Sequence, residues 1–297
     1  MSIGLRRATA SELAAQLPEL DQQFVFGKGR KLSLLQRYPA MFAADGYGGM
    51  YVLASADSLL SSLCCKTVLW HERGRVWRGA MIGAVYTPPA LRQQQYASTL
   101  LQAFSAQLTD DGYDFAVLWA SQSGFYARQG WAPRDSSVVA ELPARQAPAE
   151  PTVTVRAMDA SLAGEMEAIR TAYLPSRIMR NPIDYLTLPL PAADLHIHRW
   201  LAGGGDCYAL LGWAGDQGYV YEMVGNPKGY AALWRSLLAS GKHLLINDAL
   251  ETPSYLWLSD QAGVSWQAKS LAMWQSLSVA FGERGEFDAH ISFLDRV

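Results

Sequence analysis

The sequence predicts an α/β (α+β) fold of two tandem domains, each with a mixed, mostly antiparallel central sheet flanked by helices. In both halves of the 297-residue chain, strand-type runs alternate with amphipathic helical segments. A proline-rich stretch without apolar periodicity, LPARQAPAEPT at residues 142–152, separates two near-equal halves. We therefore expect a first domain at 1–142, a linker at 143–152 and a second domain at 153–297.

Turn and cap signals delimit the elements of the first half. Thr9 or Ser11 is a suitable N-cap for the first helix, Pro88 and Pro89 end the third strand, and Gly130 suits a helix C-terminus. The predicted elements are a helix at 8–20, strands at 50–55, 61–70 and 75–86, a helix capped by Ser98, a strand at 115–120, a helix at 123–129 and a closing strand at 138–142.

The second half repeats this plan without detectable sequence identity. The predicted elements are a strand at 152–156, a helix at 160–172, hairpin strands at 208–214 and 218–224, a helix at 229–240 and a strand at 243–248. The order strand, turn, helix, strand around residues 225–229 mirrors that of residues 83–120. We interpret this as an internal repeat at the level of topology.

Composition excludes several classes of function. A net charge of −2 implies no bulk attraction to nucleic acid or to an anionic membrane. No window approaches the length of a membrane span, and the first residues lack the apolar run of a signal peptide. Three cysteines, two of them adjacent, make a poor disulfide framework, and no Cys/His spacing indicates a metal site. We expect a cytoplasmic protein without a metal.

Two segments contain the residues that predict a ligand site and a catalytic side chain. Residues 83–101, GAVYTPPALRQQQYASTLL, predict a strand, a double-proline stop, a polar turn and a helix, whose free N–H groups form an anion site. Small residues such as Ala97 and Ser98 let a ligand approach the backbone, whereas Gln95 is an uncommon occupant if that position needs positive φ. Residues 116–131, AVLWASQSGFYARQGW, predict a strand and a short helix that places Tyr126 at the open end of the sheet.

Both segments resemble the acyl-CoA-dependent N-acyltransferases of the GNAT superfamily. The order of the elements is similar to tandem-GNAT proteins related to the enhanced-intracellular-survival acetyltransferases. In that superfamily the pyrophosphate loop is Arg/Gln-x-x-Gly-x-Gly/Ala; here Arg92 and Ala97 fit, and Gln95 replaces the central glycine. The string Phe125-Tyr126 followed by Gly130 and Trp131 is similar to the family pattern Phe-Tyr-x-x-x-Gly-Phe.

The resemblance implies acetyl-CoA as co-substrate, a primary amine of a small molecule or peptide as acceptor, and Tyr126 as the residue that protonates the departing thiolate. It also implies that the backbone of Val85, Tyr86 and Thr87 pairs with the pantetheine arm. The full set of implied acyl-CoA-binding residues is Val85, Tyr86, Thr87, Arg92, Gln93, Gln94, Gln95, Tyr96, Ala97, Ser98 and Ser121.

Several alternatives stay open on the sequence. The alternative for Tyr126 is a core tyrosine with a satisfied hydroxyl, and the residues favour a helix-cap serine at Ser121. Asp45 and Glu72 are candidate general bases. In the tandem-GNAT proteins that the chain resembles, the C-terminal carboxylate can enter the active site, and whether Val297 does so is open. The degenerate second half and Gln95 favour a second function class, a non-catalytic GNAT-like module that binds CoA or a protein partner. A homo-oligomer is compatible with either of these two function classes.

Overall fold

The computed structural model describes residues 3–42, 48–56, 58–144, 153–157, 160–180, 184–185, 197–202, 206–285 and 290–296. Most of the predicted linker, the candidate base Asp45 and the C-terminal Val297 lie outside these residues. Two sheets organise the chain, one of eight and one of seven strands, with helices packed against them. No described helix combines the length and the apolar character that crossing a membrane requires.

The helices of the described chain follow the predicted segments and add four that were not predicted, three of them of only four residues. They are α1 (Ala10–Phe24), α2 (Leu34–Arg37), α3 (Pro39–Phe42), α4 (Tyr96–Asp110), α5 (Ser123–Ala127), α6 (Ala163–Tyr173), α7 (Tyr230–Ala239), α8 (Pro253–Gln261) and α9 (Val279–Gly282). Thr9 caps α1 as predicted, in a reciprocal capping box with Glu12. Helix α4 begins at Tyr96 with Gln95 as N-cap, so the prediction of Ser98 as the cap is wrong.

The strands fall into the two sheets as follows. The first sheet contains β1 (Gly4–Arg7), β2 (Gly48–Ala54), β3 (Leu59–Glu72), β4 (Arg75–Tyr86), β5 (Phe115–Trp119), β6 (Ala132–Pro133), β9 (Ser176–Ile178) and β15 (Ala272–Ser276). The second contains β7 (Ser137–Leu142), β8 (Thr154–Ala157), β10 (Ile197–Ala202), β11 (Cys207–Ala214), β12 (Gln217–Gly225), β13 (His243–Ala249) and β14 (Gln267–Ala268).

Both sheets are mostly antiparallel with one parallel pair, as predicted. In the first sheet β4 and β5 run parallel and α4 connects them; in the second, β12 and β13 run parallel and α7 connects them. Parallel neighbours need such a crossover connection. The mixed sheets and the topological repeat that the sequence predicted are therefore confirmed.

The two halves exchange strands. Strand β7, from the first half, pairs with β13 and β14 in the second sheet. Strands β9 and β15, from the second half, pair with β3 and with β5 in the first sheet. The prediction that 138–142 closes the first sheet is wrong, since β15 takes the place beside β5 and leaves β7 to the other sheet. The sheets do not divide at the predicted linker.

Different helices cover the two faces of the first sheet. On one face Leu100, Leu101, Phe104 and Leu108 of α4 pack with the strands, which confirms the predicted apolar stripe. The other face packs against the segment that holds α1, α2 and α3. The space around the carboxyl ends of β4 and β5 therefore has α4 on one side of the sheet and the α1–α3 segment on the other.

A buried ion network borders the corresponding region of the second sheet, where a cavity of about 340 Å³ lies. The Arg180 guanidinium donates to Glu222 Oε1 at 2.9 Å and to Asp295 Oδ1 at 2.6 Å, and Arg170 Nη1 donates to Glu222 Oε2 at 3.1 Å. The Tyr208 hydroxyl donates to Glu222 at 2.8 Å. Burial by itself raises the pKa of Glu222, but the charges of Arg180 and Arg170 outweigh it and hold that pKa at about 2.

Limited proteolysis tests the strand exchange. A cut within residues 143–152 should leave both fragments together in size-exclusion chromatography, because three strands pair across the division. The fragments should part only in denaturant. Recovery of two separately folded fragments under native conditions would contradict the exchange, and cuts inside either half before the linker would contradict the predicted boundary.

The substitution Glu222→Gln tests the buried network. Removing this charge takes away the carboxylate that bridges Arg170 and Arg180 and leaves them with Asp295 and the half-buried Glu167, so the free energy of unfolding should fall by about 3–5 kcal/mol in chemical denaturation. The exposed Glu141→Gln is the matched control and should change it by less than about 0.5 kcal/mol. Because the pKa of Glu222 lies below its unfolded value, wild-type stability from this group is present above about pH 4.5 and disappears towards pH 2. An unchanged stability of Glu222→Gln would contradict the network.

Candidate active site

A cleft of about 850 Å³ opens where β4 and β5 diverge. The two strands pair only from Gly79 with Phe115 to Met81 with Val117, after which β4 continues to Tyr86 and β5 to Trp119. Within the described residues no strand pairs with the β5-facing side of β4 beyond Met81. An extended ligand can therefore add to this edge.

Strand β4 is bulged beside the cleft. Its register with β3 shifts between Ser62 and Cys64, and Ala84 adopts a positive φ of 48°. Ser61, fully buried, fixes the end of the strand because its hydroxyl donates to Tyr86 O at 2.9 Å and contacts Thr87 Oγ1 at 2.9 Å. The bulge bends β4 away from β5 and turns the backbone of Val85 into the cleft lining.

The N-terminus of α4 forms one end of the cleft. The first intrahelical bond there runs from Thr99 N to Gln95 O at 2.9 Å, so the preceding N–H groups have no partner within the helix. Gln95 has a φ of 65°, the left-handed conformation that the sequence analysis considered for this position. Its side chain makes no cap bond, and the helix dipole adds partial positive charge at this terminus.

Tyr126 reaches the cleft from α5. Its ring packs edge-to-face on Phe125 and Trp131, with centroids 5.0 and 6.3 Å apart. Among the described residues no hydrogen bond engages its hydroxyl, which lines the cleft. Burial raises the pKa of Tyr126, so the phenol keeps its proton at neutral pH. The group is therefore available as a proton donor to a bound ligand.

A chain of amides holds the turn after Tyr126. Gln129 Nε2 donates to Ser98 Oγ at 3.1 Å, and Gln102 Nε2 donates to Gln129 Oε1 at 3.0 Å. From β15, Gln275 Nε2 donates to Gln129 O at 3.3 Å and its Oε1 accepts from Ser105 at 2.7 Å. The tyrosine and the start of α4 are thus fixed to each other, with one anchor supplied by the second half.

The cleft brings together nearly all the residues singled out in the sequence. Those that line it are Val85, Tyr86, Thr87, Arg92, Gln93, Gln95, Tyr96, Ala97, Ser98, Ser121 and Tyr126. Gln94 does not; its amide lies 3.4 Å from Ala90 O. Ser121 is not a helix cap, since Gln122 holds that position in α5.

Of the two candidate bases, Glu72 does not line the cleft, and Asp45 lies outside the described residues. Glu72 is buried at the far end of β3, 3.7 Å from Arg284, and borders a separate 340 Å³ cavity, so it is wrong as a base. Glu222 belongs to the buried ion network rather than to a substrate site or the surface. In the described chain no cluster of His, Cys, Asp or Glu has the arrangement of a metal site.

Sequence reasoning missed the wall formed by the α1–α2 segment. Lys28, Arg30, Leu34, Arg37 and Tyr38 all line the cleft. The run GKGRKLSLLQR at 27–37 showed its basic character, but no local pattern places it opposite the end of β5. Its position follows from packing of α1 and α2 against the sheet.

Comparison with known proteins agrees with the geometry. Residues 5–134 match a family described as "Acetyltransferase (GNAT) domain". This segment is a GNAT acetyltransferase domain. The resemblance on which the sequence analysis relied is thereby confirmed, and β4, α4 and Tyr126 all lie inside the GNAT segment. No curated protein matches the sequence at a significant level.

Solved structures share the fold over most of the chain. A probable N-acyltransferase from Enterococcus faecalis V583 superposes with a TM-score of 0.70 at 14% identity, covering 95% of this chain and 74% of that one. Eis1 from Mycobacterium abscessus gives 0.65 at 14% identity, covering 94% and 74%. A tandem GNAT protein from the clavulanic acid biosynthesis pathway gives 0.56 at 9% identity, covering 93% and 99%. The tandem GNAT fold therefore extends beyond the matched segment.

The substitution Gln95→Gly tests the start of α4. Glycine adopts positive φ without the steric cost of a side chain, which is about 1 kcal/mol, so the melting temperature should rise. Acetyl-CoA should also bind more tightly by calorimetry, since the phosphates then meet bare backbone, with about one site per chain. The neighbouring Gln94→Gly, which lies at negative φ and outside the cleft lining, should bring neither gain. Equal effects of the two variants would contradict this account.

Proposed function

We propose that this protein is an acetyl-CoA-dependent N-acetyltransferase that transfers an acetyl group to a primary amine of a small molecule or peptide. The observation that carries the proposal is the Tyr126 phenol, protonated and without a described partner, in a cleft that ends at an open helix N-terminus. The GNAT match over residues 5–134 supports the same reaction class.

The cleft suits an extended acyl-CoA. Its pyrophosphate accepts from the N–H groups at Tyr96, Ala97 and Ser98, next to the positive charge of Arg92. The pantetheine arm pairs with the backbone of β4 around Val85 and passes between the diverging strands. This arrangement directs the thioester towards Tyr126 and the α1–α2 wall.

The transfer has two proton steps. The neutral amine attacks the thioester carbonyl, a C–N bond forms, and the C–S bond breaks to release a thiolate. The Tyr126 hydroxyl donates its proton to that sulfur and recovers one from solvent, while the surplus proton of the amine passes to water or a base. No described carboxylate lines the cleft, so the structure does not assign that base to a residue.

The second half does not offer an equivalent site. At the start of α7 Asn226 already accepts from Lys228 N at 3.1 Å, and Pro227 lacks an N–H. Glu222 and its arginines occupy the region where β12 and β13 diverge. We propose that this half is a degenerate copy that supports the first cleft. The three cysteines are buried and none is in a disulfide, which agrees with the cytoplasmic location that we propose.

A non-catalytic CoA-binding or interaction module is the second candidate, favoured by the strained Gln95 and by a second half that lacks the acyl-CoA-binding pattern. An acetyl-transfer assay that detects free CoA, run over amino acids, polyamines, aminoglycosides and peptides, separates the two. Amine-dependent release of CoA supports the enzyme. Binding of acetyl-CoA with no release above hydrolysis on any acceptor supports the module.

The substitution Tyr126→Phe tests the proton donor. Loss of the hydroxyl removes a contact made in the transition state, so kcat and kcat/KM should fall together by about 10²–10⁴-fold, with the affinity for acetyl-CoA little changed. The ring stays, so packing on Phe125 and Trp131 survives and the melting temperature should stay within a few degrees. A kcat within about twofold of wild type would make the hydroxyl a structural group and contradict its role.

A further inference from the structure

The solvent-facing mouth of the cleft is basic. Three exposed side chains, Lys28, Arg30 and Arg92, line the cleft there, and the described lining contains no aspartate or glutamate. The chain as a whole has 27 acidic and 25 basic residues, so this bias is local to the cleft. Like charges gathered around one opening create a potential that attracts a ligand of the opposite charge.

The end of α1 lies beside the loop that leads into α4. Arg92 belongs to that loop, and its Nη2 donates to Gln23 Oε1 of α1 at 3.2 Å. The neighbouring Phe24 ring packs edge-to-face on Tyr86, the last residue of β4, with centroids 6.5 Å apart. The segment that follows α1 therefore starts next to the place where the proposed pyrophosphate binds.

A tight turn after α1 presents the other two cations. Lys28 N and Arg30 N both donate to Val25 O, at 3.0 and 3.1 Å, and Gly29 between them adopts a positive φ of 72°. The Lys28 ammonium lies 5.7 Å from the centre of the Phe24 ring. Among the described residues neither cation takes part in an ion pair or a side-chain hydrogen bond. Both can therefore bind a ligand without giving up such a partner.

The proposed position of acyl-CoA brings its nucleotide to this mouth. The thioester lies inside the cleft near Tyr126, and the pyrophosphate lies at the start of α4, so the adenosine is the part left at the opening. One ribose separates the pyrophosphate of CoA from its 3′-phosphate. Ammonium and guanidinium groups form charge-assisted hydrogen bonds with phosphate oxygens.

We propose that Lys28 and Arg30 bind the ribose 3′-phosphate of CoA and thereby select 3′-phosphorylated acyl-CoA as the acyl donor. This inference rests on the proposed function, which requires acyl-CoA in the cleft. The two cations belong to the segment that covers the face of the sheet opposite α4. The nucleotide is thus held between that segment on one side and Arg92 with the start of α4 on the other. The 3′-phosphate takes no part in bond making.

Calorimetry with two matched ligands tests the proposal. Acetyl-CoA and acetyl-3′-dephospho-CoA differ only in this phosphate. We expect acetyl-CoA to bind about 5- to 20-fold more tightly at low salt, because hydrogen bonds between charged groups are strong and exposure screens them only in part. The preference should shrink as the salt concentration rises, since both cations are exposed.

Variants assign the preference to the turn. Lys28→Met and Arg30→Met should each weaken acetyl-CoA binding about threefold and leave the Kd of the dephospho ligand unchanged, and the double variant should reduce the preference to about twofold or less. Lys28→Arg should keep most of it, because the charge stays. Arg78→Met, exposed on β4 outside the cleft lining, is the control and should keep the wild-type ratio.

The outcomes separate this inference from the proposed function. Equal affinity for the two ligands overturns the 3′-phosphate contact and leaves acyl-CoA binding and transfer standing. A preference that survives the double variant also overturns it, since the phosphate then binds elsewhere. Equal weakening of both ligands by Lys28→Met and Arg30→Met overturns it as well, because these cations then contact another part of CoA. Failure of acetyl-CoA to bind the wild-type protein removes both the inference and the proposed function.

Discussion

The brief parallel pairing of β4 with β5 is the constraint on which the rest of the site depends. Hydrogen bonds join the two strands only from Gly79 to Met81, and the bulge at Ala84 then bends β4 away. The opening exposes the backbone edge of β4 and lets a ligand pass from the α4 face to the α1–α2 face of the sheet. Continuous pairing of these strands would leave no space in which acyl-CoA and an acceptor could meet.

Neither half completes this site alone. Strand β15 pairs with β5 along its whole length, from Ala272 opposite Trp119 to Ser276 opposite Phe115. On the same strand Gln275 supports the turn that follows Tyr126. The C-terminal segment also reaches the cleft wall, since the Arg296 guanidinium lies 5.1 Å from the Trp119 ring. The second half thus provides part of the frame around the first cleft.

The two halves share one topology but differ at the point where their parallel strands diverge. Both diverge after a short parallel pair, yet the first leaves a wide cleft beside an uncapped helix start, and the second leaves a smaller cavity of about 340 Å³ that buried charged side chains border. Glu222 lies between Arg170 and Arg180, and Asp295 joins the C-terminal segment to the same cluster. A buried network of this kind specifies one arrangement because removal of a single member leaves an uncompensated charge.

The sequence by itself determined most of the elements and the residues on the side of the cleft where we propose that acyl-CoA binds. Apolar periodicity and caps at Thr9 and the prolines are local signals, and the residues of 83–101 and 116–131 fold into contiguous walls of one cleft. Only the tertiary structure decided which sheet β7 and β15 join, that Glu222 is buried, and that the α1–α2 segment lines the cleft. Each of these features depends on pairing or packing between segments far apart in the chain. A strand or helix pattern is local and does not indicate which distant segment it will contact.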